Sequence, residues 1–319
     1  MKLGVCIKGA LVALLAGSLG ICAAAAAAET AAEGPQAVPH VNHAPHVMPT
    51  RQRAAQAPRF LRRPPGGGNQ IQYHGGPILG EGGTINIYLI FYGNWAGDSG
   101  TTILSNLIRG LSGSPYFNIN TTYNDSSGAR VANSLQLAAT TFDNYSLGTA
   151  FDDNGVVQVV SNAIGNGSLP FDTQGLYFVL TSPDVQETSG FCTAFCGFHN
   201  SATIFGGDIK YSFVGNPSIQ CPDGCMAQQN ASPNNNPGAD AMASIMSHEL
   251  SEAVTDPDLN AWFQTATGEE NGDLCNFNFG AVFNVGNGSV ANQQLGGSDF
   301  LIQQMWVNAN GGACVQHFP

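Results

Sequence analysis

The chain has 319 residues, 43% apolar and only 10% charged, and a formal net charge of −12; an ordinary soluble protein carries roughly 25% charged residues. From Gln70 onward three basic side chains (Arg109, Arg130, Lys210) stand against twenty acidic ones, a net of −17. That surface repels phosphate backbones and argues against nucleic-acid binding, while the apolar content excludes generic disorder.

Lys2 and Lys8 flank a short apolar run from Gly9 to Ile21, followed by small residues at 23–28. Residues 1–28 therefore read as a signal peptide, too short in its apolar part to span a bilayer, which takes ~20 residues. Ile21 before Cys22 is too large for a lipid-attachment site. No later segment has a spanning length, so the expected destination is secreted, extracellular and without a membrane span. The six cysteines beyond the leader (Cys192, Cys196, Cys221, Cys225, Cys275, Cys314) then imply up to three disulfides, with 15 pairings open. A four-thiolate zinc site from the two CxxxC pairs is the rival, disfavoured by spacing and compartment.

Residues 29–69 are rich in Pro, Ala and Arg and read as a disordered linker or pro-segment, with His40, His43 and His46 taken as part of a solvated tail. The folded part, residues 70–319, is expected to be one domain. Thr84–Tyr92 is a near-continuous apolar strand, as is Leu176–Leu180. Ile103–Leu111 and Gly155–Ile164 have helical spacing, and Arg130–Thr141 alternates like a strand. Ile204–Val214 reads as an edge strand beside the CxxxC loops. Ala239–Val254 is the strongest helix, stopped by Pro257, and short strands are expected near 281–285 and 300–307. The whole suggests an α+β layer fold.

Chemistry concentrates in the long helix, which reads Ser247-His248-Glu249-Leu250-Ser251-Glu252-Ala253-Val254-Thr255-Asp256-Pro257. At 100° per residue His248 and Glu252 stack one turn apart, with Glu249 and Asp256 on the adjoining strip. Asp240, Ser244, Ser247 and Ser251 fall on the far side and read as the solvent face. Glu249 and Glu252 repel at i, i+3, and Asp256 sits at the helix end where the macrodipole disfavours an anion. A divalent ion reverses both effects. H-E-x-x-E is the H-E-x-x-H zinc-protease pattern with its second histidine replaced: His248 and Glu252 hold the metal and Glu249 activates water. The plain alternative is an ordinary His–Glu helix pair. Glu270 is the expected third ligand, with Asp256, Asp273 and His199 as alternatives. Zn2+ is the expected ion, Ca2+ or Mn2+ the others for so carboxylate-rich a set. His74 in YHGGP hints at an oxyanion loop, but there is no G-x-S-x-G for a serine hydrolase, nor a nucleotide-binding glycine motif.

YHGGP (73–77), INIYLIFYGNW (85–95), GLYFVLTSPDV (175–185), FCTAFCGFH (191–199), FVGNP and QCPDGC within 211–225, and HELSEAVTDP (248–257) occur in order, followed by NAW (260–262) and DLC (273–275). In these the chain resembles the Exordium, or phosphate-induced protein 1, family from about Tyr73 to Cys314. The resemblance implies an extracellular or cell-wall-associated protein with links to growth, and no defined reaction. It also implies that the position of Asp256 is often Asn, which favours Glu270 as ligand. The combined expectation is a zincin-like mixed β-sheet, disulfide-braced, with backing helices and the late H-E-x-x-E helix. Its function is read as a metal-dependent hydrolase, peptidase-like, acting on an extracellular peptide or cell-wall component. The alternative is a non-catalytic extracellular protein in growth or signalling, with a structural metal or none. A carbohydrate-binding module rests only on Trp95, Trp262 and Trp306, which core packing also explains.

Overall fold

A computed structural model describes residues 39–56 and 71–319; the leader lies outside them. In chain order the principal elements are β1 (His40–Val41), β2 (His46–Pro49), α1 (Arg51–Gln56), β3 (Gln72–Tyr73), β4 (Ile85–Tyr92), α2 (Gly100–Leu111), β5 (Leu135–Asp143), β6 (Ala150–Phe151), α3 (Asp153–Gly165), β7 (Leu176–Thr181), β8 (Gln186–Glu187), β9 (Phe195–Ile204), β10 (Gly207–Val214), α4 (Pro222–Cys225), α5 (Pro237–Thr255) and β11 (Trp262–Phe263). The central sheet runs β1-β9-β10-β7-β4-β5, with β2 also paired to β9. β5, β4, β7 and β10 are mutually parallel, whereas β9 is antiparallel to β10, β1 and β2. This is an α+β fold with a mixed sheet.

The parallel strands are buried, as their unbroken apolar sequences require. α2 and α5 pack on each other; α5 lies on β9 and β10, and α2 on β4 and β5. The β5–α3–β7 crossover runs back over β4, and the right-handed rule places α3 on the opposite face, against β7 and β10. Asp152 caps α3 by accepting from the Gly155 N–H.

Three sequence expectations change. Ile204–Val214 is not an edge strand: β9 and β10 form a hairpin, and β10 is interior, between β9 and β7. The stretch Phe195–Ile204, which starts inside the first CxxxC loop and carries no predicted element, is a buried ten-residue strand. Residues 40–41 and 46–49, within the expected linker, are antiparallel strands on the free side of β9. Asn42 secures them, donating from Nδ2 to Ser201 Oγ at 2.9 Å and to Asp208 Oδ1 at 2.8 Å. Residues 57–69 of that linker lie outside the described residues.

Disulfides join Cys192–Cys221, Cys196–Cys225 and Cys275–Cys314. The first two tie the entry of β9 to α4, and the third holds the turn Asp273–Cys275 to the C-terminal segment.

Asp172, ahead of β7, accepts from Asn86 Nδ2 and Tyr88 Oη, both at 2.9 Å. Burial alone would raise its pKa, but these bonds and the backbone N–H groups of Gln174 and Gly175 hold it below the usual value. A depressed folded pKa contributes stability that is present above about pH 4 and lost as pH falls through the folded value. Asp172→Asn is therefore expected to flatten the acid limb of a melting-temperature profile below about pH 4, as read by thermal unfolding between pH 2 and 7.

Candidate metal centre

Helix α5 is buried from Gly238 to Thr255. Asn236 caps it by accepting from the Ala239 N–H, and Pro237 occupies the first turn, where its missing N–H costs nothing. The supposed solvent face is inside: Asp240, Ser244, Ser247 and Ser251 are all buried. The hydroxyls find partners locally. Ser247 donates to the Ala243 carbonyl at 2.8 Å, and Ser244 Oγ accepts the Gln303 N–H. Asp240 accepts from the Asn234 backbone and side chain. Short polar groups that bond back to the helix can be enclosed cheaply.

Against this helix lie β9, β2 and the loop 269–275. β9 contributes His199, fully buried. β2 contributes His46, which pairs in register with His199 across the two strands, ring centroids 5.6 Å apart. The loop contributes Glu270 and Asp273. Asn271 anchors it, donating to the Ser251 carbonyl and to Thr255 Oγ1, each at 3.1 Å, and the Asp273 N–H donates to Glu252 Oε1 at 3.1 Å.

Three imidazoles thus meet a set of carboxyls. His199 Nε2 is 3.5 Å from Glu270 Oε1 and 3.8 Å from Glu252 Oε2. His46 Nδ1 is 3.4 Å from Glu270 Oε1, and its Nε2 is 2.7 Å from Asp273 Oδ2. His248 Nε2 lies 3.0 Å from Glu252 Oε1 and 3.7 Å from Asp273 Oδ1. Among the described residues, two sets have ligand atoms all within 4.8 Å of one another: His199, Glu252 and Glu270; and His46, Glu252 and Asp273. Of the expected ligands, Glu252 and Glu270 come together, joined by the alternatives His199 and Asp273. His248 stands on the other oxygen of Glu252. Asp256 is occupied differently, its Oδ1 accepting the N–H groups of Asn260 and Ala261 at 2.6 Å each. His74 stacks on Phe263 at 3.8 Å and takes no part in either set.

The sets are not internally satisfied. Among the described residues, both nitrogens of His199 and His248, both oxygens of Glu249, Glu252 Oε2, Glu270 Oε2 and Asp256 Oδ2 are buried without a hydrogen-bond partner. Buried polar groups are normally paired, and each exception needs a cause. Burial drives the Glu249 carboxyl well above its usual range; Glu252 and Asp273 push it further, while the neighbouring His248 opposes. Burial does the same to Glu270, helped by Asp256, Glu252, Asp273 and Glu249. Asp256 rises to about 6, burial outweighing its two backbone donors. Burial alone would lower His46 and His248, but the charges around them (Asp273 and Glu252 for His46; Glu252, Glu249 and Asp273 for His248) raise both to about 9. His199 falls well below 6.5 through burial and the two neighbouring imidazoles. Asp273 is lowered, as His46 and His248 overcome the burial that would raise it.

The cluster has a route to solvent. A cavity of about 590 Å³ reaches His46 and Asp273 and is bordered by Val47, Arg51, Thr267 and Phe277. Glycines make the enclosed side fit. A Cβ on Gly197 would lie 2.6 Å from Ile245 Cγ2 and 3.1 Å from Glu249 Oε1, and one on Gly272 would lie 2.8 Å from both Glu252 Oε1 and His248 Nδ1. Gly272→Ala is accordingly expected to cost about 1–3 kcal/mol through overpacking. Urea unfolding of the variant beside wild type measures the loss.

The profile described as the phosphate-induced protein 1 conserved region matches residues 71–314. The chain belongs to the phosphate-induced protein 1 family. It is 32% identical over 281 residues to Protein EXORDIUM-like 5 of Arabidopsis thaliana, covering 76% of this chain and 77% of the relative. It is 28% identical over 277 residues to Protein EXORDIUM-like 3 of the same plant, with 74% and 80% covered. Protein EXORDIUM matches at 27% over 228 residues, with 61% and 68% covered. No solved structure matches. The family region holds His199, His248, Glu249, Glu252, Asp256, Glu270 and Asp273, whereas His46 lies outside it.

Proposed function

We propose that this member of the phosphate-induced protein 1 family is a secreted, metal-dependent hydrolase with a peptidase-like mode of action. The carrying observation is the enclosed set His199, Glu252 and Glu270, in which His199 Nε2, Glu252 Oε2 and Glu270 Oε2 have no hydrogen-bond partner. Its nitrogen–oxygen separations of 3.5 and 3.8 Å suit the edge of a tetrahedron with metal–ligand bonds of ~2.0–2.1 Å, about 3.4 Å. Imidazole with carboxylates favours zinc, with manganese or calcium as the more oxygen-preferring options. His248, against Glu252 Oε1, orients that ligand or completes the set as the H-E-x-x-E pattern implies. The long helix laid against a mixed sheet supports the zincin-like comparison. The expected leader, the three disulfides and the lack of any described helix long and apolar enough to cross a membrane support export.

A divalent ion at this position supplies Lewis acidity and lowers the pKa of a water. In this reading Glu249, which follows His248 in the H-E-x-x-E pattern, would take the proton of the attacking water once a bound cation had displaced the proton that burial leaves on it, and would return it to the leaving amine. The cavity at His46 and Asp273 is the approach for substrate.

The test is a zinc-loaded full chain assayed on an unstructured protein such as casein, beside Glu249→Gln. The expected result is a loss of turnover of about 10²–10⁴-fold with zinc content unchanged. Equal turnover in both proteins, or none in either, counts against catalysis. One observation favours the second reading, a non-catalytic extracellular protein with a structural metal: among the described residues a second set, His46, Glu252 and Asp273, shares Glu252 with the first, and a centre filled by protein ligands alone would have no place for water.

A further inference from the structure

Glu252 serves two ligand sets. Its Oε1 accepts the Asp273 N–H at 3.1 Å and lies 3.0 Å from His248 Nε2. Its Oε2 is buried without a hydrogen-bond partner and lies 3.8 Å from His199 Nε2 and 3.8 Å from His46 Nε2. Among the described residues, His199 and Glu270 share one set with Glu252, and His46 and Asp273 share the other. The ligand atoms of one ion lie no more than two bond lengths apart, ~4–5 Å for nitrogen and oxygen donors on a divalent ion. The four partners of Glu252 do not form a single set of that span. The sets therefore mark two positions, with an unpaired carboxylate oxygen between them.

The two positions differ in access. The side chains of His199, Glu252 and Glu270 are at most 1% exposed, whereas His46 is 19% and Asp273 8% exposed. The cavity of about 590 Å³ is lined by His46 and Asp273, and neither His199 nor Glu270 is among the residues that line it. An ion at the inner set is cut off from solvent; one at the outer set has three protein ligands and a wet side. Charge supports both. Asp256 is served by two backbone N–H groups, which leaves Glu249, Glu252, Glu270 and Asp273. Their four negative charges, when ionised, are what two divalent ions balance, and a single ion leaves half of them uncompensated where an unpaired charge is costly. The outer ligands are held ready. Asp273 Oδ2 accepts the Glu270 N–H at 3.1 Å and bonds His46 Nε2 at 2.7 Å; a cation takes the place of the proton in that second bond.

We infer that the centre takes two divalent cations bridged by Glu252: an inner one on His199, Glu252 and Glu270, and an outer, exchangeable one on His46, Glu252 and Asp273. The inference rests on the inner set being a metal site and not on hydrolysis. The outer ion is the weaker, because a like charge stands close by and water reaches it from the cavity. Purified protein therefore keeps the inner ion and loses the outer one on dialysis. His46 lies outside residues 71–314, so the outer position is what β2 adds to the family region.

The test titrates the chelator-treated full chain with Mn2+, followed by electron paramagnetic resonance. Wild type should bind two equivalents, the second roughly tenfold or more weakly than the first. Filling the second should broaden and diminish the spectrum of the first, because ions in a two-metal site stand ~3.5–4 Å apart and couple magnetically. His46→Ala and Asp273→Asn should each keep the tighter ion, which shows that the variant folds, and lose the weaker one together with the coupling. Glu252→Gln should weaken both. A single equivalent in wild type, or a second that survives both outer substitutions with unchanged affinity, overturns the outer site and leaves the inner one standing. Two equivalents without coupling overturn the shared Glu252. Loss of both ions in His46→Ala and Asp273→Asn, with the circular dichroism of wild type, overturns the division into two sets. No manganese bound by wild type defeats the metal reading, and this inference with it.

Discussion

Removing divalent metal from the purified full chain with a chelator is expected to lower its melting temperature by roughly 8–16 °C, and adding back zinc should restore it. A ligand present at a thousand times its dissociation constant stabilises the native state by about 4 kcal/mol. For a domain of this size each kcal/mol moves the midpoint by about 2–4 °C. The physical reason for expecting an effect of this size is the charge inventory around α5. Glu249, Glu252, Asp256, Glu270 and Asp273 meet three imidazoles, and all but His46 and Asp273 are fully enclosed. An effective desolvation penalty of several kcal/mol attaches to each buried ion. Without a cation the chain offsets it by keeping protons on Glu249 and Glu270 and on the imidazoles of His46 and His248. A divalent ion replaces those protons with one compact charge that several ligands share. Differential scanning calorimetry of metal-free and zinc-loaded protein measures the difference directly.

Glu270→Gln should separate the two states. In metal-free protein Glu270 is buried, with Asp256, Glu252, Asp273 and Glu249 pressing on it, and holds its proton well above the usual range. An isosteric amide therefore resembles the group already there, and the metal-free melting temperature should stay within about 2 °C of wild type. In zinc-loaded protein the same change removes a carboxylate ligand. Affinity should fall by roughly 100-fold or more, about 3 kcal/mol, and most of the zinc-dependent stabilisation should go with it. A variant destabilised equally in both states would make Glu270 a structural acid and not a ligand. Competition with a chromophoric zinc chelator gives the affinity, and paired melts give the rest.

Parts of this centre were legible in the chain and parts were not, for identifiable reasons. His248, Glu249 and Glu252 lie within one helical turn, so helix geometry alone brings them together. β4 and β7 announce themselves because strands covered on both faces need no polar positions. β9 does not. Its centre carries His199, Asn200 and Ser201, which look like loop residues, yet each is enclosed. Asn200 donates to the His43 carbonyl at 2.8 Å, and Ser201 Oγ accepts from Asn42, so the polarity is satisfied by a segment more than 150 residues away. The serines of α5 mislead in the same way, since periodicity reads them as a wet face while their bonds run back into the helix and to Gln303. His46 is the largest omission. It sits in a Pro- and Ala-rich stretch without periodicity, and its partners Asp273 and Glu270 are over 220 residues downstream. No local pattern carries a contact of that kind; only the sheet pairing of β2 with β9 reveals it.

The most direct test of the central claim is elemental analysis of the full chain purified without chelator, beside His199→Ala and Glu252→Ala. The expected result is about one equivalent of zinc or a related divalent ion in wild type and almost none in either variant. Metal-free wild type whose melting temperature is unmoved by zinc, manganese or calcium would contradict it.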